Sequence, residues 1–436
     1  MTMHKAVPLR TDMSGTERVP VRVVAATVAG NALEFFDFIA YNFFAVYIGK
    51  AFFPASNPMT SLLLSVGVFG VGFLFRPLGG VLIGAYADRA GRKPAMLLTI
   101  VLITVGTLGL ALTPSYATIG IAAPIIVVVC RLVQGLALGG EVGPASVFLI
   151  EIAPPGRRGF YSSWQLASQG LAALAASGLG MVLSLILAPA DLEAWGWRLP
   201  FALCLALVPV AVFLRRAMPE TLPHEAHRPA ERPATRERPG LWAQTRFILL
   251  AIVVILGGTV STYAANYMTT YGIMTLHFAP STAFAATVIG GVATFALSLV
   301  GGWLADRYGR RAVMLLPRLV LTVATWPLFL LLDAHPSPFM LYATTAAMTG
   351  LTALSGVASF VAIPELLPRS IRATGVAVGY AVGVSIFGGS TQFVITWLLG
   401  ATGNPTSPAW YVTATSLISL AAMLAVPESR GRRLDA

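Results

Sequence analysis

Gly84-Ala-Tyr-Ala-Asp88-Arg89-Ala-Gly91-Arg92-Lys93 and Gly302-Trp-Leu-Ala-Asp306-Arg307-Tyr-Gly309-Arg310-Arg311 are two copies of one pattern in a single chain. Each follows a long apolar run. A second pair of motifs repeats alongside: Glu151-x-x-Pro154-x-x-x-Arg158 and Glu365-x-x-Pro368-x-x-x-Arg372. Asp306 lies 218 positions after Asp88 and Glu365 lies 214 after Glu151. Two independent motifs displaced by nearly the same amount mark an internal duplication of the whole chain, the sign of a parallel two-half architecture.

The composition says what the duplicated unit is made of. Of 436 residues, 56% are hydrophobic and 11% charged, against about 25% charged in a soluble domain. Mean hydropathy is +0.77. These values exclude a disordered chain, a disulfide scaffold and an ordinary soluble enzyme. A helix needs about 20 apolar residues to cross a bilayer. Twelve such runs lie near 22–46, 60–86, 94–112, 118–150, 160–188, 199–214, 245–275, 281–304, 313–332, 337–363, 371–400 and 409–427. They are continuous rather than alternating, so the chain reads as an all-α polytopic membrane protein, because lipid forces backbone groups to bond within each segment. Residues 1–21 lack the apolar centre of a cleavable signal. A polar stretch rich in Pro, Arg and Glu, 215–244, reads as a linker. It divides the chain into six-helix units at 1–214 and 245–436.

The formal charge of +11 reports orientation. Of the 29 basic residues, 24 fall in the loops and tails of one side, counting alternate connections. The positive-inside rule places both termini in the cytoplasm. The basic surface then meets anionic headgroups of the lipid bilayer, and no nucleic acid is expected as a partner. Cys130 and Cys204 fall within spans and are expected as free, buried thiols. No cofactor motif and no metal-ligand cluster is present, and a monomer is expected.

Within the repeated loops, an acid among bases needs a partner. Asp88 and Asp306 can accept hydrogen bonds from a neighbouring helix N-terminus or an arginine. With Arg92, Glu151, Arg158, Arg310, Glu365 and Arg372 they form a candidate cytoplasmic gate. A static positive-inside anchor is the competing reading for the bases.

Charges inside the membrane cost several kcal/mol, so each is a functional candidate. Span one places Asn31, Glu34, Asp37 and Tyr41 on one helical face. Two carboxylates a turn apart suit proton loading and release; a structural pair with Arg76 or Arg131 is the alternative. Span four aligns Arg131, Gln134 and Glu141. Arg131 is the candidate for an anionic substrate because its fork matches a carboxylate in two places. Glu141 is either a further proton site or its structural partner. Ser162, Gln165 and Gln169 in span five offer neutral donors, with helix–helix bonding as the competing reading; Tyr263, Asn266 and Tyr267 in span seven read as the opposing wall of the site. Arg76 reads as a tether between helices of one bundle. Arg318 reads as a residue near the surface that snorkels to the headgroups.

The duplicated Asp-Arg-x-Gly-Arg loop and the twelve spans resemble the major facilitator superfamily. That resemblance implies two six-helix bundles around a central cavity with alternating access. Asn31-x-x-Glu34-x-x-Asp37, Arg76-Pro-Leu-Gly-Gly and Arg131-Leu-x-Gln134-Gly-x-x-x-Gly-Gly-Glu141 are similar to the metabolite:proton symporter branch. Gly159-Phe-Tyr161-Ser-Ser-Trp164-Gln165, Trp195-Gly-Trp197-Arg198-x-Pro200 and Ser407-Pro-x-Trp410 look most like its citrate–proton symporters. The resemblance implies a proton-coupled importer of a small di- or tricarboxylate in a bacterial inner membrane. A carrier of another organic acid, a betaine-like osmolyte carrier and a proton-driven exporter are the alternatives. The absence of heptads after Pro427 favours metabolite uptake over osmosensing.

Overall fold

The computed structural model describes residues 21–90, 92–139, 149, 153–154, 156–217, 241–366 and 379–431. Every expected span coincides with a helix over its described residues. The first six are α1 (Val21–Phe43, continued by Ala45–Phe52), α2 (Pro58–Leu74 running into Arg76–Ala90), α3 (Arg92–Leu112), α4 (Ala122–Gly139), α5 (Arg158–Ile186) and α6 (Leu199–Ala217). The second six are α7 (Leu241–Asn266, continued by Met268–Met274), α8 (Pro280–Tyr308), α9 (Arg310–Ala334), α10 (Pro338–Leu366), α11 (from 379 to Thr402, with a π turn at Val384–Gly388) and α12 (Ser407–Leu424). Among the described residues, nine helices are long and apolar enough to cross a membrane by themselves. A tenth is α1, bent by 65° where Phe43 gives way to Ala45. Helices α3 and α6 carry shorter apolar cores, Leu97–Leu112 and Gly196–Val210.

The local starts follow from sequence. Pro58, Pro280 and Pro408 occupy first-turn positions, where a missing N–H costs nothing. The Asn57 side chain accepts from the Met59 amide at 2.8 Å, satisfying one of the orphan donors of α2.

The duplication is visible in the packing. In the first half α2 packs on α4, α3 on α4 and α6, and α1 on α6. In the second half α8 packs on α10, α9 on α10 and α12, and α7 on α12. The halves meet mainly where α5 lies along α8, and again where α2 meets α11. The α5–α8 approach depends on absent side chains. A Cβ at Gly170 would stand 2.6 Å from the Phe295 amide nitrogen, and one at Gly291 would stand 2.6 Å from that of Leu174. Only hydrogen fits at either position, as in other close membrane helix pairs. Away from the repeated loops, Gln392 of α11 donates to Asn42 of α1, and the Phe44 ring of α1 lies 5.1 Å from that of Phe284 in α8. Both cysteines are buried and unbridged.

Candidate functional site

A cavity lies between the two halves, enclosing ≈ 1040 Å³ of free space including its open mouth. The first half contributes Phe35, Ile39, Leu166, Gln169 and Ala173, a wall with one polar group. The second half contributes hydroxyls and amides: Thr259, Thr262, Tyr263, Asn266, Thr294, Thr349, Thr352 and Ser359. Arg318 is the only charged residue among the described lining, and no carboxylate borders it.

Beside the first wall lies a buried ionic network. Asp37 is 2% exposed and Arg131 is 1% exposed. The Gln134 amide donates to Asp37 Oδ2 at 2.7 Å and to Thr107 Oγ1 at 3.0 Å. Arg131 Nη1 donates to Gln134 Oε1 at 2.8 Å. Acid and base are therefore joined through one amide rather than in direct contact. The Arg131 guanidinium lies 4.3 Å above the Tyr41 ring, whose hydroxyl donates to the Ser65 carbonyl at 3.2 Å. Asp37 Oδ1 is buried and has no hydrogen-bond partner. Arg131 Nε is likewise unpartnered, but it already carries its hydrogen, so Asp37 Oδ1 is the place in this network that a proton can occupy.

The expected polar faces divide between two uses. Asn31 donates to Ser168 Oγ at 2.5 Å and accepts from Gln165 Nε2 at 3.1 Å, which binds α1 to α5. Ser162 is buried at the start of α5. Of the span-five candidates, Gln169 alone reaches the cavity. In span seven, Tyr263 and Asn266 reach it, while the Tyr267 hydroxyl accepts from Thr396 Oγ1 at 2.9 Å inside the second half. Tyr41, Arg131 and Gln134 stand off the lining. The Glu34 side chain and all of Glu141 lie outside the described residues.

Arg76 fits the tether reading. It is 4% exposed, with its guanidinium 4.5 Å from the Phe38 ring of α1 and 4.0 Å from the Phe73 ring of its own α2. Arg318 corrects the snorkelling expectation. It is 0% exposed, eight residues into α9 and so about 12 Å along the helix. Its Nη1 donates to the Gly257 carbonyl and to Ser261 Oγ, both at 3.0 Å in α7. The side chain turns sideways into the second half rather than toward the headgroups. The depth of Arg318 in its span was the available signal: a guanidinium so far from the surface needs an internal partner.

The end bearing the repeated loops holds a cross-half cluster. Asp306, near the end of α8, accepts from the backbone amides of Gly159 at 2.8 Å and Phe160 at 2.9 Å. It thereby caps α5 of the other half, where carboxylates are favoured by orphan N–H groups and the helix dipole. Arg310 pairs with Asp306 at 3.2 Å and with Glu365 through two donors at 3.2 Å. Arg158 approaches Glu365 at 3.6 Å. Glu428, just beyond α12, accepts from the amides of Arg310 at 2.9 Å and Arg311 at 3.0 Å, and Ser429 donates to Glu365 at 2.6 Å. Asp306, Arg310, Glu365 and Arg158 belong to the repeated motifs; Glu428 and Ser429 lie outside them and carry no such signal in the sequence. The side chains of Asp88 and Arg92, and all of Glu151 and Arg372, lie outside the described residues.

Residues 27–390 match the family model for the Major Facilitator Superfamily. The chain belongs to the Major Facilitator Superfamily. This facilitator is 37% identical to the citrate-proton symporter of Salmonella typhi, covering 97% of this chain and 96% of that one. It is 36% identical to the alpha-ketoglutarate permease of Escherichia coli K12, with 97% of each chain covered. Identity to the proline/betaine transporter of the same strain is 30%, over 95% of this chain and 84% of that one. The crystal structure of a D-xylose-proton symporter superposes with a TM-score of 0.75 at 17% identity, covering 94% of this chain and 99% of the other. That likeness establishes the twelve-helix, two-bundle fold. The facilitator is a multi-pass membrane transporter and not an enzyme.

Proposed function

We propose that this facilitator is a proton-coupled symporter that imports a small di- or tricarboxylate, citrate or a citrate-like acid, across a bacterial inner membrane. The observation that carries the reading is the charge pattern at the cavity. Its described lining holds one cation and no acid, while a buried acid with a free oxygen stands beside it. A proton on Asp37 removes the negative charge from the Asp37–Gln134–Arg131 network and leaves a net positive charge next to the cavity. An anion is then favoured there, so proton and substrate load together. Loss of the proton restores the carboxylate and favours release. Neutral pairing of charge also lowers the cost of moving the loaded site through a low-dielectric interior. Glu34 and Glu141 are further proton candidates on the same faces. The names of the relatives at 37% and 36% identity support a carboxylate and a proton as the transported pair.

The end bearing the basic loops is the cytoplasmic end in this reading, with both termini there. Asp306, Arg310, Glu365 and Arg158 then act as the gate on that side, and Asp88, Arg92, Glu151 and Arg372 are its counterparts in the duplicated positions. The protein works as a monomer in the lipid bilayer, with residues 215–244 linking bundles 1–214 and 245–436.

The aromatic lining residues Phe35, Tyr263, Phe360 and Tyr380 favour a second reading, a betaine-like osmolyte, because aromatic faces accept quaternary ammonium groups. Uptake of labelled citrate into proteoliposomes under an imposed pH gradient separates the two, with 2-oxoglutarate, succinate and glycine betaine as competitors. Gradient-driven citrate uptake unaffected by betaine is expected. No uptake of any di- or tricarboxylate refutes the proposal.

A further inference from the structure

The geometry assigns Arg318 as the residue that anchors a substrate carboxylate, reached through the gap left by Gly258. The inference rests on the carboxylate reading above and names the group in the second half that recognises the acid.

Arg318 is an unbalanced charge. Arg318 is 0% exposed, and no ion pair to it exists among the described residues. Buried charges are otherwise paired, because an uncompensated one forfeits its hydration. Its bonds to α7 do not supply the missing counter-charge. Both partners, the Gly257 carbonyl and Ser261 Oγ, are neutral.

The disposition of the remaining donors is specific. Both α7 bonds use Nη1, and Nε and Nη2 have no hydrogen-bond partner. Nε and Nη2 form one edge of the guanidinium plane, the edge whose two parallel N–H bonds fit the two oxygens of a carboxylate. A residue serving only to staple α9 to α7 would not need to keep that edge whole.

The Nη2 end of that edge is buried directly behind Gly258, at the wall of the cavity. Arg318 and Gly258 both border it, and a Cβ at Gly258 would stand 3.3 Å from Arg318 Nη2. Any larger side chain at 258 would cover the donor. Around this point stand Thr259, Thr262, Thr349, Thr352 and Asn266. The Thr352 hydroxyl is buried and unpartnered. The Thr262 and Thr349 hydroxyls already donate to the Gly258 and Thr345 carbonyls, so Thr259, Thr352 and Asn266 are the neutral donors for further oxygens of a di- or tricarboxylate. Arg76 also leaves Nε and Nη2 unpartnered, but it is not itself part of the described lining: it stacks on Phe38 and Phe73 and lies behind the lining residue Tyr263.

The test uses full-length protein in proteoliposomes, measuring citrate KM and maximal rate under a pH gradient, with thermal melting in the presence and absence of citrate. Arg318→Gln is expected to raise the citrate KM by about tenfold or more, equivalent to ~1.4 kcal/mol or more. It should also lose the citrate-dependent rise in melting temperature while melting like wild type without citrate. Arg318→Lys, which keeps the charge but not the fork, should fall between. An unchanged KM in Arg318→Gln overturns the assignment while leaving the carboxylate reading intact. If Arg318→Gln does not fold, Gly258→Val covers the donor without touching the arginine. It should raise KM with the maximal rate retained, and a wild-type KM in that variant overturns the assignment. A wild-type protein that transports no di- or tricarboxylate removes the underlying reading, and this inference with it.

Discussion

Asp306→Ala is expected to loosen the contact between the halves at the end bearing the repeated loops. Asp306 accepts two amide bonds at 2.8 and 2.9 Å from the first turn of α5, across the boundary between bundles. Hydrogen bonds to a charged group are worth about 1.5–3 kcal/mol each, and a carboxylate at a helix N-terminus adds roughly 0.3–1 kcal/mol. Taking the low value for both bonds gives ~3 kcal/mol, a shift of about 150-fold in the ratio of clasped to separated ends. Asp306→Asn should be milder, because its amide oxygen can still accept from one N–H while its NH₂ opposes the other. Spin labels at the exposed positions Arg157 and Tyr308 report the separation of α5 from α8 in nanodiscs by pulsed dipolar spectroscopy. The wild type should show a short distance, with a longer population growing from Asn to Ala. Distance distributions in Asp306→Ala that superimpose on the wild type would refute the clasp.

Further outcomes follow from the same geometry. Asp37→Asn should abolish gradient-driven accumulation while sparing citrate counterflow, since the carboxylate proposed to take the proton is gone but the cavity remains; retained accumulation removes Asp37 from coupling. Gly291→Leu should lower the melting temperature and stop transport, because overpacking at a backbone contact costs about 1–3 kcal/mol; a variant that melts and transports like wild type would show that α5 and α8 need not approach so closely. Glu428 gives a pH dependence. Partial burial alone would raise its carboxyl, but backbone amides of Arg310, Arg311, Arg430 and Ser429 outweigh burial and hold it below the ordinary glutamate range. A depressed folded-state value means the contact is fully present above the unfolded value, roughly 4.3, and is lost as pH falls through the folded one. Protection of the Arg310 and Arg311 amides in hydrogen exchange should therefore be steady at neutral pH and fail only in acid. Glu428→Gln should remove it at neutral pH, and protection surviving in that variant would count against the cap.

Much of the architecture is legible in the chain. Spans are set by local hydropathy, because a bilayer tests each stretch of about 20 residues separately. The duplication is a pattern of identity and spacing and needs no coordinates. The partners of Asp306 were foreseeable in kind, since an isolated acid among bases must be capped or paired. The division of the polar faces was not. Helical periodicity says that Gln165 and Gln169 lie one turn apart; it cannot say that the first bonds Asn31 and the second borders the cavity. A polar face is satisfied equally well by a neighbouring helix or by a wet cavity, and the choice depends on how the bundles pack.

Arg318 shows the same limit from the other side. Sequence fixes its depth in span nine but not the direction of its side chain. Only the packing of α9 beside α7, with Gly257 offering a carbonyl and Gly258 offering space, turns that charge inward. The sequence by itself determined twelve membrane helices, two related halves and the expected side of the basic loops, because these depend on terms that act segment by segment. The tertiary structure alone decided which buried charges are balanced within the protein and which, like Arg318 and Arg76, keep donors unpartnered, because that depends on groups far apart in the chain being brought within hydrogen-bond distance.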